Sequence, residues 1–243
     1  MKRVGCDNSC QGPRRVRRIS AITSGMLEAG RKAIVDPRRV WWLVRAARRS
    51  CLPVYRLSYL MDLCSAAPAG AFVECGTFRG GSASIMAQSG EDRVLWLFDS
   101  WAGFPDTGEV DVDRSGRQAS RGDFNSAYEE VENFLVRSCR ASTTRLHLTS
   151  GWFEDTLPAH MDEIGPIAVL HIDCDLYSST RTCLLYLFDP VVEGGVVVVD
   201  DYGDWEGCQR AVDEFIAEHH SLGITIEAVD NSQILLTRAG AGL

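Results

Sequence analysis

Two stretches of sequence decide the fold: Ile167–Asp175, which reads IAVLHIDCD, and Gly194–Asp201, which reads GGVVVVDD. Each is a short apolar run, rich in Val or Ile, that ends in carboxylates. Such runs between helix-like stretches are typical of parallel strands that are buried on both faces. In an open parallel sheet, the ligand crevice lies beyond the carboxyl ends of the strands. The pattern therefore predicts that both stretches deliver their acids to one crevice.

The acids concerned are Asp173, Asp200 and Asp201. Three carboxylates at close range repel each other, and they are stable together mainly around a hard divalent cation such as Mg2+. The alternative is that each aspartate begins a turn or caps the next helix, as Asp often does. Because the same strand-end pattern occurs twice, we favour a metal site formed by all three.

The remaining chain alternates between predicted strands and helices, and it closes with a hairpin. This order predicts an α/β fold: a doubly wound, Rossmann-like sheet, mostly parallel with an antiparallel C-terminal strand, plus N-terminal helices. We expect strands at 71–75, 94–99, 145–149, 167–173, 194–200, 224–228 and 233–237. We expect helices at 20–34, 37–50, 54–66, 80–88, 124–138, 154–163, 178–188 and 205–220.

Residues 102–123 interrupt this alternation with a stretch rich in Gly, Asp, Arg and Ser. The stretch has no apolar periodicity, and it is too long for an ordinary connection. Long loops of this kind are usually lids or disordered segments. We expect a lid that is mobile without ligand.

The charge is distributed unevenly along the 243 residues, whose formal net charge is −8. Residues 1–56 hold 14 of the 25 Lys and Arg but only three of the 33 acids. We expect a basic N-terminal extension at 1–53, partly disordered and then helical, followed by the main domain at 54–243. An acidic body argues against a nucleic-acid binder. The basic arm could contact anionic lipid, nucleic acid or a neighbouring subunit, and a homo-oligomer is expected.

The cysteine content and the hydropathy of the sequence bear on the cellular compartment of the protein. Nine cysteines, an odd number scattered through predicted strands and helices, suit a reducing compartment rather than a disulfide framework. No apolar run approaches the ~20 residues that cross a membrane. We therefore expect a cytoplasmic protein without a membrane span.

The first strand–helix junction, Phe72–Ser82, reads FVECGTFRGGS. Glycines at such a turn let the backbone approach a ligand and leave helix-start amides free. The spacing is neither G-x-G-x-x-G nor that of a P-loop, so NAD and ATP are poorly supported. Asp99 ends the next strand, where an acid binds ribose hydroxyls in nucleoside-binding folds. Trp152 and Phe153 either contact adenine or simply pack in the protein interior. Together these features suggest S-adenosylmethionine (SAM).

Five motifs in this order resemble the macrocin O-methyltransferase family, whose members are SAM- and Mg2+-dependent enzymes that methylate sugar hydroxyls of macrolides, aminocoumarins and related glycosides. The resemblance covers roughly residues 54–237. The motifs that carry it are Glu74–Gly81, Phe98–Pro105, Gly151–Pro158, Asp173–Thr180 and Asp200–Gly203.

The resemblance implies roles for individual residues. Asp173, Asp200 and Asp201 match the metal ligands, and Asp175 matches the general base. The candidate SAM-binding residues are Glu74, Cys75, Gly76, Thr77, Arg79, Gly80, Ser82, Asp99, Ser100, Gly151, Trp152, Phe153 and Asp173. The implied partner is a small-molecule hydroxyl acceptor, a glycoside or other saccharide.

The residues are consistent with this chemistry. A sugar hydroxyl is a weak acid, so its methylation needs a base and, in this family, a metal. Related catechol enzymes use a lysine as the base, but this chain has only Lys2 and Lys32, both in the basic arm. Asp175 is the natural substitute, although it could merely cap the following helix. We expect His171 to be a hydrogen-bonded core residue.

Two other functions remain open from the sequence. Asp173-Cys174-Asp175 after an apolar strand is also the D-x-D metal motif of nucleotide-sugar glycosyltransferases, but that function leaves the glycine turn unexplained. A noncatalytic SAM-binding module is the second alternative. The complete acidic trio argues against it.

Overall fold

A seven-stranded sheet organises the computed structural model, which describes residues 36–90, 92–138 and 144–238. Its strand order is β3-β2-β1-β4-β5-β7-β6. The first five strands are parallel, whereas β7 runs antiparallel to both β5 and β6. This confirms the predicted fold class. The strands are β1 Ala71–Cys75, β2 Leu95–Asp99, β3 Leu146–Ser150, β4 Ile167–Ile172, β5 Val191–Val199, β6 Ile224–Ala228 and β7 Ile234–Arg238.

Helices cover both faces of the sheet. They are α1 Pro37–Ala47, α2 Val54–Ala66, α3 Gly81–Ser89, α4 Tyr128–Asn133, α5 Phe153–Ile164, α6 Tyr177–Leu187 and α7 Glu206–Glu218. A π-helical turn, Phe134–Ser138, continues α4, and a 3₁₀ turn, His220–Leu222, follows α7. The helix predicted at 20–34 lies outside the described residues. The helix predicted at 124–138 begins only at Tyr128, because Phe124 has a φ of +58°, which a helix does not allow.

The central strands are apolar throughout because each contributes side chains to two cores. Val73 and Cys75 of β1 pack with α5, α6 and α7, whereas Phe72 points to the face covered by α1 to α4. All five residues of β1 and all six of β4 are buried. Double coverage thus explains the continuous apolar runs from which these strands were predicted.

The segment before α2 packs on the sheet domain. A Cβ on Gly81 would lie 2.5 Å from the Ser50 Cβ and 2.7 Å from the Ala46 carbonyl oxygen. The Arg49 Nε donates to the Arg79 carbonyl at 2.8 Å. Residues 46–50, expected to belong to the N-terminal extension, therefore lie directly against the start of α3.

Asp111 attaches the 102–123 segment to the body. Its carboxylate is 3% exposed and accepts the N–H groups of Gly108 and Tyr177, both at 2.8 Å. Tyr177 begins α6, whose own N-cap residue makes no side-chain hydrogen bond. Asp111 thus satisfies an otherwise open helix-start amide and favours the positive end of the helix dipole. The lid predicted for this segment is held near its middle.

Short backbone pairing holds the same segment on the side of α7. Val112 pairs with Gln118, and Asp113 pairs with Trp205, both in antiparallel bridges. The Arg114 N–H donates to the Asp204 carbonyl at 2.8 Å. Movement of the lid is therefore expected at the two flanks of this tether, and its mobility stays a prediction.

No helix among the described residues is both long and apolar enough to cross a membrane. The six cysteines of the described part are all free thiols: Cys51, Cys64, Cys75, Cys174, Cys183 and Cys208.

The Asp111 tether can be tested by limited proteolysis. We predict that Asp111→Ala accelerates cleavage within 102–123 and lowers stability by about 0.5–2 kcal/mol, the cost of losing a helix cap. Asp106→Ala is the matched control, since Asp106 lies in the same segment with a side chain that is 87% exposed. Equal cleavage rates in the two variants would show that Asp111 does not restrain the segment.

Candidate active site

A cavity of about 360 Å³ opens at the carboxyl ends of β1, β2, β4 and β5. Residues of every motif singled out in the sequence line it, although those motifs are far apart in the chain. The predicted site residues in its wall are Gly76, Thr77, Ser82, Asp99, Ser100, Gly151, Trp152, Phe153, Asp173, Asp175, Asp200 and Asp201. The cavity lies where the crevice of an open parallel sheet is expected.

The aspartate trio forms one cluster in this wall. One carboxylate oxygen from each of Asp173, Asp200 and Asp201 lies within 4.8 Å of the other two. The parallel pairing of Ile172 with Val199 sets the ends of β4 and β5 side by side, so the residues that follow must meet. The sequence pattern predicted this convergence.

Like charge dominates this cluster. Burial and the neighbouring carboxylates of Asp200 and Asp175 raise the pKa of Asp173 well above its ordinary value. Burial, Asp173 and Asp200 raise the pKa of Asp201 in the same direction. A divalent cation bound among these oxygens would relieve the repulsion that raises these pKa values.

Asp175 stands beside the trio in a strained backbone conformation. Its φ is +62°, which non-glycine residues adopt rarely and usually at functional positions. Its N–H donates to the Asp201 Oδ2 at 3.2 Å. Burial, followed by the charges of Asp201 and Asp200, raises the pKa of Asp175 well above that of a free aspartate. A carboxylate with a raised pKa is a stronger base.

The β1–α3 turn faces the trio across the cavity. Gly76 has a φ of +89°, and a Cβ there would lie 1.8 Å from the Asp173 carbonyl oxygen. Glycine is therefore required for the two strand ends to approach. Thr77 lines the cavity. Its hydroxyl oxygen is buried and has no hydrogen-bond partner among the described residues.

Asp99 fixes this turn while it lines the cavity. Its Oδ2 accepts the N–H groups of Thr77 at 2.8 Å and Phe78 at 2.7 Å. Its Oδ1 accepts the Trp101 N–H at 2.7 Å. Burial raises the pKa of Asp99, whereas these backbone hydrogen bonds lower it. Asp99 thus has a structural role in addition to the predicted contact with ribose.

Four predicted residues lie outside the cavity wall. Glu74 is fully buried, and its Oε1 lies 3.0 Å from the Nδ1 of His171, which is also fully buried. Cys75 is buried in the strand, and the Arg79 side chain is exposed. Neither Glu74, Cys75, Arg79 nor Gly80 lines the cavity, so the structure gives them supporting positions around the turn. His171 is a hydrogen-bonded core residue, as the sequence predicted.

Sequence reasoning missed two parts of the cavity wall. One is the segment Arg49–Pro53 together with Arg56, which it assigned to a basic arm and a plain helix. The other is an aromatic side wall. Phe104 contacts Phe124 and Trp205 there, with ring centroids 5.2 and 5.8 Å apart. A buried basic residue within an apolar helix stripe was the available signal for Arg56.

The residues present fit both implied groups. The unpartnered Thr77 hydroxyl, the Gly76 turn and Asp99 provide polar contacts for a nucleoside with an amino-acid tail. The trio provides three carboxylate oxygens, the donor type that Mg2+ prefers. Both sets of contacts face one cavity.

The fold and site together define a class of protein: Rossmann-like enzymes that bind a nucleoside cofactor. The defining features are a doubly wound sheet and, at one crevice, a glycine turn, an acid placed to bind ribose and a carboxylate cluster. A family model described as Macrocin-O-methyltransferase (TylF) matches residues 58–238. The chain therefore belongs to the macrocin-O-methyltransferase family.

Individual relatives agree with this assignment. Demethyldecarbamoylnovobiocin O-methyltransferase of Streptomyces niveus is 37% identical over 156 residues, which are 61% of this chain and 59% of that protein. The 8-demethyl-8-(2,3-dimethoxy-alpha-L-rhamnosyl)-tetracenomycin-C 4'-O-methyltransferase of Streptomyces olivaceus is 34% identical over 154 residues, 60% of this chain and 58% of that protein. The chain thus spans less than two thirds of the length of either relative.

A solved structure shares the fold. The O-methyltransferase NovP superposes with a TM-score of 0.68 at 30% identity, covering 79% of this chain and 82% of that one. Membership of a methyltransferase family disfavours the nucleotide-sugar glycosyltransferase that the D-x-D motif left open.

The close approach of Gly76 to Asp173 can be tested by substitution. We predict that Gly76→Ala destabilises the protein far more than Gly165→Ala. Both glycines have positive φ, where an alanine costs on the order of 1–3 kcal/mol in backbone strain, but a Cβ on Gly165 meets nothing within 4 Å. Thermal unfolding of both variants measures the difference. Equal losses would mean that the strand ends separate without cost.

Proposed function

We propose that this protein is a SAM- and Mg2+-dependent O-methyltransferase that methylates a hydroxyl group, most simply a sugar hydroxyl, of a glycosylated small molecule. One observation carries the proposal. The aspartate trio and the Gly76 turn line a single cavity in a chain of the macrocin-O-methyltransferase family. A cofactor and a metal-assisted acceptor would therefore meet in one place.

The glycine turn and Asp99 would hold SAM. Asp99 supplies a half-buried carboxylate for ribose hydroxyls, while Thr77 and Ser82 supply polar groups for the amino-acid tail. Trp152 and Phe153, in the wall next to Asp99, supply flat surfaces for adenine. When bound, SAM supplies the methyl group at its sulfonium centre.

Asp173, Asp200 and Asp201 would hold Mg2+. When bound, Mg2+ lowers the pKa of an acceptor hydroxyl and restricts its orientation. Confinement of both reactants in one geometry would remove much of the entropy cost of their encounter.

Asp175 would take the proton from the acceptor hydroxyl. It lies in the cavity wall next to the trio, and its raised pKa suits a general base. No lysine occurs among the described residues, since the chain has only Lys2 and Lys32. The positive φ of Asp175 and the hydrogen bond from its N–H to Asp201 hold this residue in a defined backbone conformation beside the trio.

The acceptor is proposed to be a glycoside. The name of the Streptomyces olivaceus relative describes methylation of a tetracenomycin that carries a rhamnosyl group, and that of the Streptomyces niveus relative describes O-methylation of a novobiocin precursor. In this chain, Phe104, Phe124 and Trp205 form an apolar wall suited to a ring system. Ser178, Ser179 and Asp204 add polar groups suited to sugar hydroxyls in the same cavity.

The reaction itself provides the first test. We predict that the protein transfers a methyl group from SAM to at least one member of a panel of glycosides, detected as a mass gain of one methylene. EDTA should abolish the transfer and added Mg2+ should restore it, because Asp173, Asp200 and Asp201 then regain their cation. Full turnover in EDTA would contradict the metal requirement. Methyl transfer to no glycoside in the panel would contradict the acceptor class.

The base can be tested separately. We predict that Asp175→Asn lowers the rate constant by roughly 10²–10⁴-fold, the usual contribution of a general base, while affinity for S-adenosylhomocysteine (SAH) stays unchanged. The residual rate should rise with pH, since hydroxide replaces the missing base. Loss of Mn2+ binding in this variant would instead identify Asp175 as a metal ligand. An unchanged rate would show that Asp175 is not the base.

A further inference from the structure

Asp200 differs from its two partners because protein groups engage both of its carboxylate oxygens. The Arg56 Nη1 donates to the Asp200 Oδ2 at 2.7 Å. The Gln233 Nε2 donates to Oδ1. Asp200 and Gln233 are each 1% exposed, and Arg56 is 8% exposed. Bulk water therefore plays little part in orienting this carboxylate, and the two donors set its plane.

Arg56 is itself fixed by a second acid. Its Nε and Nη2 donate to the two oxygens of Asp230 at 2.7 and 2.9 Å. Such bidentate pairing fixes the plane of the guanidinium as well as its position. The remaining donor, Nη1, is thereby aimed at Asp200.

The β6–β7 turn closes the arrangement into a ring. The Asp230 Oδ1 accepts the N–H groups of Ser232 and Gln233, both at 2.8 Å. The Ser232 hydroxyl donates to the Asp200 carbonyl at 2.8 Å. Asp230 thus positions both donors of Asp200: Arg56 through its side chain and Gln233 through its backbone.

We propose that Arg56, Gln233 and Asp230 are positioning residues that orient Asp200 for the divalent cation. This inference rests on the proposed function, since it concerns the same cation. Asp173 and Asp201 receive no side-chain donor of this kind among the described hydrogen bonds. Asp201 accepts the Asp175 backbone N–H at 3.2 Å, so Asp200 is the member of the trio whose two oxygens are both oriented by side-chain donors. Because each of its oxygens already accepts a hydrogen bond, Asp200 would offer one remaining lone pair on each oxygen to the cation.

The ring also limits the charge of the site. Arg56 is the only cationic side chain in the described part of the chain that forms an ion pair with a member of the trio. Its guanidinium offsets part of the repulsion between Asp200 and the other carboxylates. A bound cation would then neutralise the negative charge that Arg56 leaves uncompensated. Without Arg56, repulsion would turn the carboxylates apart.

The test measures cation binding directly, with Mn2+ as the probe and free Mn2+ counted by electron paramagnetic resonance. Arg56→Lys keeps the charge but cannot reach both acids. Gln233→Met keeps the volume but removes the donor. We expect each change to weaken Mn2+ binding by about 10–100-fold, the usual effect of removing a group that orients a metal ligand. SAH affinity, measured by calorimetry in EDTA, should stay at the wild-type value.

Arg39→Lys is the matched control. Arg39 makes an ion pair with Asp62 and a hydrogen bond to the Ser58 hydroxyl, both on α2, and it touches none of the trio. Its Mn2+ affinity should equal that of the wild type. Wild-type Mn2+ affinity in both Arg56→Lys and Gln233→Met would overturn the inference. A parallel loss of Mn2+ and SAH affinity would also overturn it, since that pattern indicates collapse of the whole cavity.

The same titration separates this inference from the proposed function. If the wild-type protein itself binds no Mn2+, the metal requirement of the proposed reaction fails. Arg56, Gln233 and Asp230 then have no metal ligand to orient. If the wild type binds Mn2+ and the two variants bind it equally well, only the positioning role fails.

Discussion

The parallel pairing of β1, β4 and β5 is the constraint on which the rest of this structure depends. It brings three strand ends to one edge of the sheet, and with them Gly76, Asp173 and Asp200. The strands are buried on both faces, so a shift in register would move apolar side chains out of two cores at once. Packing of the strands therefore fixes the positions of the acids, even though their charges repel one another.

Packing of this kind imposes an electrostatic cost. Four aspartates, Asp173, Asp175, Asp200 and Asp201, line one cavity, and the pKa of three of them is raised. A buried guanidinium lies on one side of these carboxylates, and a strained backbone segment lies on the other. Arg56 is bound to Asp200, and Asp175 is held at positive φ. Strain and unrelieved like charge at one place are typical of a functional site, because they persist only where the surrounding fold enforces them.

The loop 102–123 and the turn at 229–233 connect this centre to the outer parts of the domain. Asp111 joins the loop to the start of α6, two residues after Asp175. Asp230 joins the β6–β7 turn to Arg56 and so to Asp200. Both connections use a carboxylate that accepts backbone amides, an interaction that short polar side chains make readily in loops. The proposed base and the proposed metal ligand are thereby each coupled to a surface segment.

The sequence alone determined the sheet, the strand ends and the identity of the trio, because hydrophobic periodicity and the strand-end position of acids are local properties of the chain. It also indicated the glycine turn, since the spacing of glycines is visible without a structure. The tertiary structure decided what each side chain touches. Glu74 faces His171 behind the cavity, and Asp99 secures the turn with three hydrogen bonds. Arg56 follows the basic N-terminal extension and lies among the apolar residues of α2 in the sequence, yet it is a buried partner of two acids that lie 144 and 174 positions away. Contacts over such separations depend on the packing of α2 and the β6–β7 turn against the same edge of the sheet, which no local pattern in the chain encodes.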